Sequence, residues 1–224
     1  MRTPPTPVDP WPLRHLVLRT PRLELRPDDD AGLLQLAEQA RQGIHDPEWM
    51  PFGVAWTDAP AEELGTDVLR FHWGQRAALS PARWTVNFLV RLNGEVIGNQ
   101  GLTGHDFAVT REVRTGSWLG RRHQGHGYGT EMRAAVLMLA FDHLGARTAR
   151  SSARLDNAPS LGVSRRLGYV EDGTEVVAVR DEPSPHVRLL LTAERFAEHR
   201  PSWWVDVRGL DACLPLLISG DGTA

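Results

Sequence analysis

The stretch from Glu112 to Leu155 constrains this chain more than any other. Glu112 to Leu119 reads as a strand, and Ala149, Ser151, Ala153 and Leu155 alternate as another. Between them lies a helical segment, Thr130 to Leu144. Met132, Ala135, Val136, Leu139 and Ala140 mark one face of it, and Leu137, Met138 and Phe141 carry apolar character round the rest. A helix apolar nearly all round leaves no face for water, so it must be buried, here against a sheet. Gly145 stops it. Strand, buried helix and strand in this order predict a right-handed crossover between two parallel strands.

The turn into that helix is Gln124-Gly125-His126-Gly127-Tyr128-Gly129-Thr130. Glycine lets a backbone approach a ligand closely and take up unusual dihedrals. The first amides of a helix lack internal acceptors and point outward at the positive end of the dipole. Together they predict a seat for a pyrophosphate. Two common phosphate loops do not fit. A P-loop ends in Gly-Lys-Ser or Gly-Lys-Thr, and this chain contains no lysine. A dinucleotide fingerprint needs glycine at its sixth position, and counting from Gly125 that position is Thr130.

The remaining elements read simply. Residues 1–13, with Pro4, Pro5, Pro7, Pro10 and Pro12, are expected to form a loose arm. Leu16 to Arg26 suits a first strand. One of Asp28, Asp29 and Asp30 should cap a first helix. Thr57 or Asp58 opens a second, with Pro60 in its first turn. Trp84, Val86, Phe88 and Val90 alternate toward Asn93-Gly94, a two-residue hairpin signal, and Val96 to Leu102 returns. After Asn157 and Pro159 a further helix runs to Gly168. Thr174–Arg180 and His186–Leu191 make a last hairpin, Ala193–His199 a short helix, and Trp203–Val207 an edge strand. The expected organisation is one domain over residues 14–200, with a C-terminal extension, 201–224, packed on it.

Composition excludes several classes. A formal charge of −3 supplies no basic field for nucleic acid or an anionic membrane. The longest apolar run, Ala134 to Phe141, falls far short of the roughly 20 residues that span a bilayer. A lone Cys213 forms no internal disulfide and suits a reducing, cytoplasmic setting. His123 and His126 lack further ligands at a recognised spacing, so no metal site is expected.

Residues 117–169 resemble the signature region of the GNAT superfamily, especially its ribosomal-protein alanine N-acetyltransferases. The resemblance rests on Trp118-Leu119-Gly120, on Gln124 to Glu131, and on Asn157, Ser160 and Leu167-Gly168-Tyr169. The family's Gln/Arg-x-x-Gly-x-Gly/Ala motif falls on Gln124, Gly127 and Gly129. Arg19-Thr20-Pro21-Arg22-Leu23 is also similar, and the likeness covers roughly residues 16–192. The His45-Asp46-Pro47 and Met50-Pro51-Phe52 loop is similar to that of actinobacterial acyltransferases, some of which use succinyl donors.

This resemblance implies an α+β fold, with a mixed central sheet whose splayed parallel strands are flanked by helices. It implies an enzyme that moves an acetyl or succinyl group from acetyl-CoA or succinyl-CoA to a primary amine by direct attack. The acceptor is a protein N-terminus, a lysine side chain or a small molecule. Main-chain groups around Trp118 and Leu119 would pair with the pantetheine arm and the acyl carbonyl. The amides of Gly125, His126, Gly127, Tyr128, Gly129 and Thr130 would hold the pyrophosphate. Asn157 would contact the pantetheine arm, cap its own helix, or do both. Ser160 matches a serine near the thiolate. Ser164 stands where many members have a proton-donating tyrosine, and it shares a helix face with Ser160. Arg114 stands where a basic carboxylate is usual. Glu112, on the same strand face, is one candidate substitute, with His45, Asp46, His105 and water relaying protons to solvent as the others. Glu131 is expected to support the phosphate loop and Tyr169 to pack. An idle CoA-binding sensor is the alternative. The Trp203-Trp204 pair leaves room for a homo-oligomer.

Overall fold

The computed structural model describes residues 9–218. Alternation, caps and turns place the elements that position the site. Leu16 to Arg26 forms two strands where one was expected, β1 (Val17–Arg19) and β2 (Leu23–Pro27), folded back antiparallel. The turn comes at Pro21, which breaks the alternation. Helix α1 (Asp30–Arg41) is capped by Asp29, whose carboxylate accepts from Gly32 N at 2.7 Å. A long loop, residues 42–60, leads to α2 (Ala61–Ala77). The expected start at Thr57 or Asp58 becomes a separate turn, Trp56–Asp58, because Pro60 caps α2 itself. Strands β3 (Arg83–Leu92) and β4 (Glu95–His105) meet at Asn93-Gly94, with φ of 52° and 88°.

After a short helix, α3 (Phe107–Thr110), the central unit follows. Strand β5 (Glu112–Leu119) leads into α4 (Tyr128–Met138), which widens to a π-turn over Leu139–His143 before β6 (Thr148–Arg154). Helix α5 (Ala158–Arg166) precedes the hairpin of β7 (Val170–Val179) and β8 (Glu182–Thr192). Helix α6 (Ala193–His199), β9 (Asp206–Arg208) and α7 (Leu214–Leu217) complete the described chain. The nine strands form one sheet in the order β7-β8-β6-β5-β4-β3-β2-β1-β9. Among the described residues, β5 and β6 make its parallel pair. The fold is α+β with a mixed sheet flanked by helices.

Helix α4 lies on one face of the sheet, in the main core with Leu18, Leu25, Phe88, Val113 and Leu191. Each fully buried leucine or methionine there contributes about 1.5–3 kcal/mol. Helices α1 and α2 cover the other face, with Leu33, Leu36, Leu64 and Val68 packed against Leu89 and Val96.

The ends of the chain differ from expectation in two respects, the first being that the edge strand expected at Trp203–Val207 is the shorter β9, Asp206–Arg208. The loose arm does not extend to Trp11–Leu13. Leu13 is 2% exposed and Trp11 packs against the core, because a short turn at Pro12 points them inward. Residues 1–8 of that arm lie outside the described residues. In the C-terminal extension, β9 pairs with β1, Leu217 O accepts from Trp84 Nε1 at 2.9 Å, and Cys213 is buried. Among the described residues no helix is long and apolar enough to cross a membrane.

Candidate functional site

The parallel pairing of β5 and β6 ends almost as it begins. Only Glu112, Val113 and Arg114 pair with Thr148, Ala149 and Arg150. Beyond Arg114, β5 stays with β4 and β6 stays with β8, so the sheet opens between them. Strand alternation tells which groups face the gap. Gly120 N donates to Ile97 O on the β4 side. Counting back, Gly116 and Trp118 turn their main chain to β4, while Thr115, Ser117 and Leu119 turn theirs to the gap. The side-chain bonds agree. Thr115 O accepts from Ser151 Oγ at 3.3 Å, and Leu119 O accepts from Gln124 Nε2 at 2.9 Å. Ser117 N–H and C=O therefore face the gap just beyond the last paired residues.

At the open end of the gap stands the mouth of α4. Gly125 and Gly127 have φ of 79° and 83°, left-handed values that side chains disfavour. Thr130 N and Glu131 N turn back onto Gly127 O at 3.2 Å. The amides of Gly125, His126, Gly127, Tyr128 and Gly129 have no acceptor among the described residues. Thr130 Oγ1 is buried and without a partner among the described residues. The loop is exposed, and a Cβ built on Gly125 would meet nothing within 4 Å. These orphaned donors fit a pyrophosphate, and no side chain seals them off. A groove of about 210 Å³ adjoins the mouth, lined in part by Arg22, Gly127, Thr130, Arg166 and Trp203.

The loop is braced from two sides. Gln124 Nε2 ties it to Ile44 O at 2.7 Å as well as to Leu119 O. Glu131, 6% exposed, accepts from Thr20 Oγ1 at 2.6 Å, Arg22 N at 3.0 Å and Arg22 Nε at 2.6 Å. Arg22, so held, donates to His126 O at 3.0 Å and lies 4.6 Å from the centre of the Tyr128 ring. The ring of His126 stacks on Tyr128, 5.8 Å between centroids. Thr20-Pro21-Arg22 is thus a clamp on the glycine loop, and Glu131 anchors it.

Helix α5 forms the opposite wall. Asn157 Oδ1 accepts from Ser160 N at 3.1 Å and caps the helix, and Nδ2 has no partner among the described residues. Ser160 is half-buried, and its hydroxyl has no hydrogen bond among the described residues. Ser164 is fully buried. It donates to Ser160 O at 3.1 Å and accepts from Arg133 Nη1 at 3.0 Å.

On the other face of the sheet, Gly116 is exposed, and a Cβ there would meet nothing within 4 Å. The loop of residues 42–60 folds over this face. Phe52, Trp56 and Trp118 meet in series as tilted pairs, 5.4 and 5.6 Å between centroids. Arg154 and Trp49 both hold Asp156, whose pKa falls to about 2, mainly through Arg154. Arg180 pairs with Asp58 at 2.6 Å. His186 on β8 is buried with Nε2 unpartnered; burial lowers its pKa and favours the neutral ring.

Residue by residue, the structure gathers Gln124 to Thr130, Leu119, Asn157, Ser160 and Ser164 around one gap. It does not bring Glu112 there. Glu112 sits at the closed end, about 16 Å along the strand from Ser117 at about 3.3 Å per residue. Its carboxylate accepts from Arg150 Nε at 2.8 Å, and Arg150 also pairs with Asp172. Trp118 contributes its ring to the aromatic series, but its main chain belongs to β4. His45 is engaged at both nitrogens, by Asp46 O and Thr57 Oγ1. Asp46 and His105 are exposed, and Tyr169 is buried with its hydroxyl 3.2 Å from Thr115 Oγ1. Two residues of the gap were missed in the sequence, Ser117 and Arg133. Alternation counted from Gly120 would have found Ser117. An arginine inside an apolar run was the available signal for Arg133.

A sheet split between two parallel strands, with an amide-lined helix mouth at the opening, is the architecture of the GNAT acyltransferases. Residues 16–170 match the Acetyltransferase (GNAT) domain family. The chain belongs to that family. Its fold is similar to that of RimJ from Mycobacterium smegmatis, solved in complex with CoA-disulfide. The two share 23% identity and a TM-score of 0.66, over 82% of this chain and 90% of that one. A GCN5-related N-acetyltransferase from Brucella melitensis is 16% identical, with a TM-score of 0.64 over 81% of this chain and 80% of that one. A chimera of the spermidine N-acetyltransferase SpeG from Vibrio cholerae and hSSAT is 15% identical, with a TM-score of 0.61 over 79% and 98%.

Proposed function

We propose that this protein transfers an acetyl or succinyl group from acyl-CoA to a primary amine by direct attack. The observation that carries the reading is the row of five acceptor-free amides, Gly125 to Gly129, at the mouth of the split sheet. They hold the pyrophosphate of the donor, and the exposed Arg121 and Arg122 add positive charge beside them. Asn157 Nδ2 donates to the pantetheine arm while Oδ1 keeps its capping bond. Ser117 N–H polarises the thioester carbonyl from the gap. The amine reaches the carbonyl carbon from the face where Gly116 leaves space, walled by Phe52, Trp56 and Trp118.

Nitrogen bonds to the carbonyl carbon, the carbon–sulfur bond breaks, and the amine proton passes to water over Gly116. Water serves because Asp58 and Asp156 of the covering face are each bound to an arginine and Glu112 lies at the closed end, bound to Arg150. The hydroxyl of Ser160, free of other bonds, faces the departing sulfur. The acceptor is an amine of a protein N-terminus, a lysine or a small molecule, and the transfer takes place in the cytoplasm. Thiol release from acetyl-CoA and succinyl-CoA with a panel of amines tests the reading. Release above hydrolysis with at least one amine is expected. Tight CoA binding with no release for any amine would favour an idle sensor. Thermal stabilisation by ATP or NAD but not CoA would refute the reading.

A further inference from the structure

Arg133 lies on α4 between Met132 and Ala134, in a run of apolar residues that are all buried, and it is itself only 5% exposed. No carboxylate meets it among the described residues. Its guanidinium donates from Nη1 to Ser164 Oγ at 3.0 Å and from Nη2 to Ser117 Oγ at 3.2 Å, while Nε has no acceptor among the described residues. Burial pushes its pKa down, yet an arginine keeps its proton in a protein. A buried cation without a counter-ion is costly, and α4 would be more stable with a leucine or methionine there. Packing does not explain it.

Its position gives the charge a use. Ser117 belongs to the strand wall of the gap and Ser164 to the helix wall. A side chain bonded to both crosses the floor of the gap between them. Ser164 has spent its one proton on Ser160 O, so it has none to give a leaving group. Resting on the acyl-transfer reading above, we propose that Arg133 holds the departing sulfur of CoA as its thiolate. The carbon–sulfur bond breaks with its electron pair on sulfur, and the guanidinium pairs with that charge without transferring a proton. The thiolate takes its proton from water after release.

The groups facing Arg133 leave this role to it. From β5 come Thr115 and Ser117, and beside them on β4 lies Gln100, buried with Oε1 unpartnered. From α5 come Ser160 and Ser164. Tyr169 couples to the guanidinium, but burial raises its own pKa and keeps it neutral. Glu131, on the same helix, is bound to Thr20 and Arg22.

The test is calorimetric titration of CoA and of desulfo-CoA into wild type, R133K and R133M, from about pH 6 to about pH 10, past the range near 8.5 where a free cysteine ionises. If the site prefers thiolate, the affinity for CoA relative to desulfo-CoA rises with pH. The rise ends about tenfold higher for each unit by which the bound thiol is depressed. Wild type should show the rise, R133M should be flat, R133K should rise less than wild type because a buried lysine sheds the proton that an arginine keeps, and all three should bind desulfo-CoA alike. R133M should also melt higher than wild type. A flat ratio in wild type that binds CoA overturns the inference alone, and that profile decides the matter even if R133M does not fold. A rise that survives in R133M assigns the charge to another group and overturns it too. Loss of a preference for succinyl-CoA over acetyl-CoA in R133M, with a flat ratio in wild type, would make Arg133 a holder of donor carboxylate. Wild type that binds neither CoA nor desulfo-CoA overturns the acyl-transfer reading and the inference with it.

Discussion

Replacing Glu131 by glutamine keeps the shape of the clamp and removes its charge. One carboxylate oxygen accepts from Thr20 Oγ1 and Arg22 N, the other from Arg22 Nε and, at 2.5 Å, Nη2. Glutamine offers one carbonyl oxygen, which can serve the first pair. Its NH2 then faces two guanidinium donors, and both bonds are lost. Charge-assisted hydrogen bonds are worth about 1.5–3 kcal/mol each, so a sealed site would lose about 3–6 kcal/mol. Arg22 is 47% exposed, however, and can swing into water. That screening brings the expected loss to about 2–3 kcal/mol. As Arg22 leaves, His126 O and the Tyr128 ring lose their brace. The amides must then be ordered on binding, and CoA affinity should fall about tenfold, or about 1.4 kcal/mol. Urea denaturation measures the first number and calorimetry the second. In a double-mutant cycle with R22A, the shared contacts should appear as a coupling of about 1–2 kcal/mol. A stability loss under about 0.5 kcal/mol, or additive effects, would show that the clamp is only a surface ion pair. Lost stability with unchanged CoA affinity would show that the loop does not depend on it.

Three further outcomes are expected. Gly127→Val forces a branched side chain to φ of 83°, costing about 1–3 kcal/mol, and stands it before the amides; calorimetry should show CoA affinity down about a hundredfold. Ser160→Ala should lower kcat about tenfold with donor KM nearly unchanged. Ser164→Ala should instead cost about 1–3 kcal/mol in urea denaturation, because it leaves Arg133 Nη1 without an acceptor. Burial raises the Cys213 thiol from 9.0 to about 11, so the folded protein keeps that proton at pH values where the unfolded chain releases it. Stability from this group is present below pH 9.0 and is lost as pH climbs toward about 11. At about pH 8 a thiol reagent such as DTNB should label Cys213 only as fast as the C-terminal segment opens.

What the sequence determined by itself rests on interactions within a few residues. The strand–helix–strand unit, the glycine loop, the Asn93-Gly94 turn and the cap at Asn157 were legible, and the first helix's cap was narrowed to Asp28, Asp29 or Asp30, because period, cap chemistry and left-handed turns are local physics. The fold class came with the resemblance that these motifs carry, and the glycine loop marked where the proposed CoA seat lies. Which side chains remain free to act was not legible. Glu112 lost its candidacy to an arginine 38 residues away, Glu131 found Thr20 across 111 residues, and Arg133 met Ser164 across 31. The pairing of β9 with β1 and the burial of Leu13 are of the same kind. Charge pairing and exposure arise only when distant segments share a volume, and nothing in the local pattern of a carboxylate or a guanidinium announces its eventual partner.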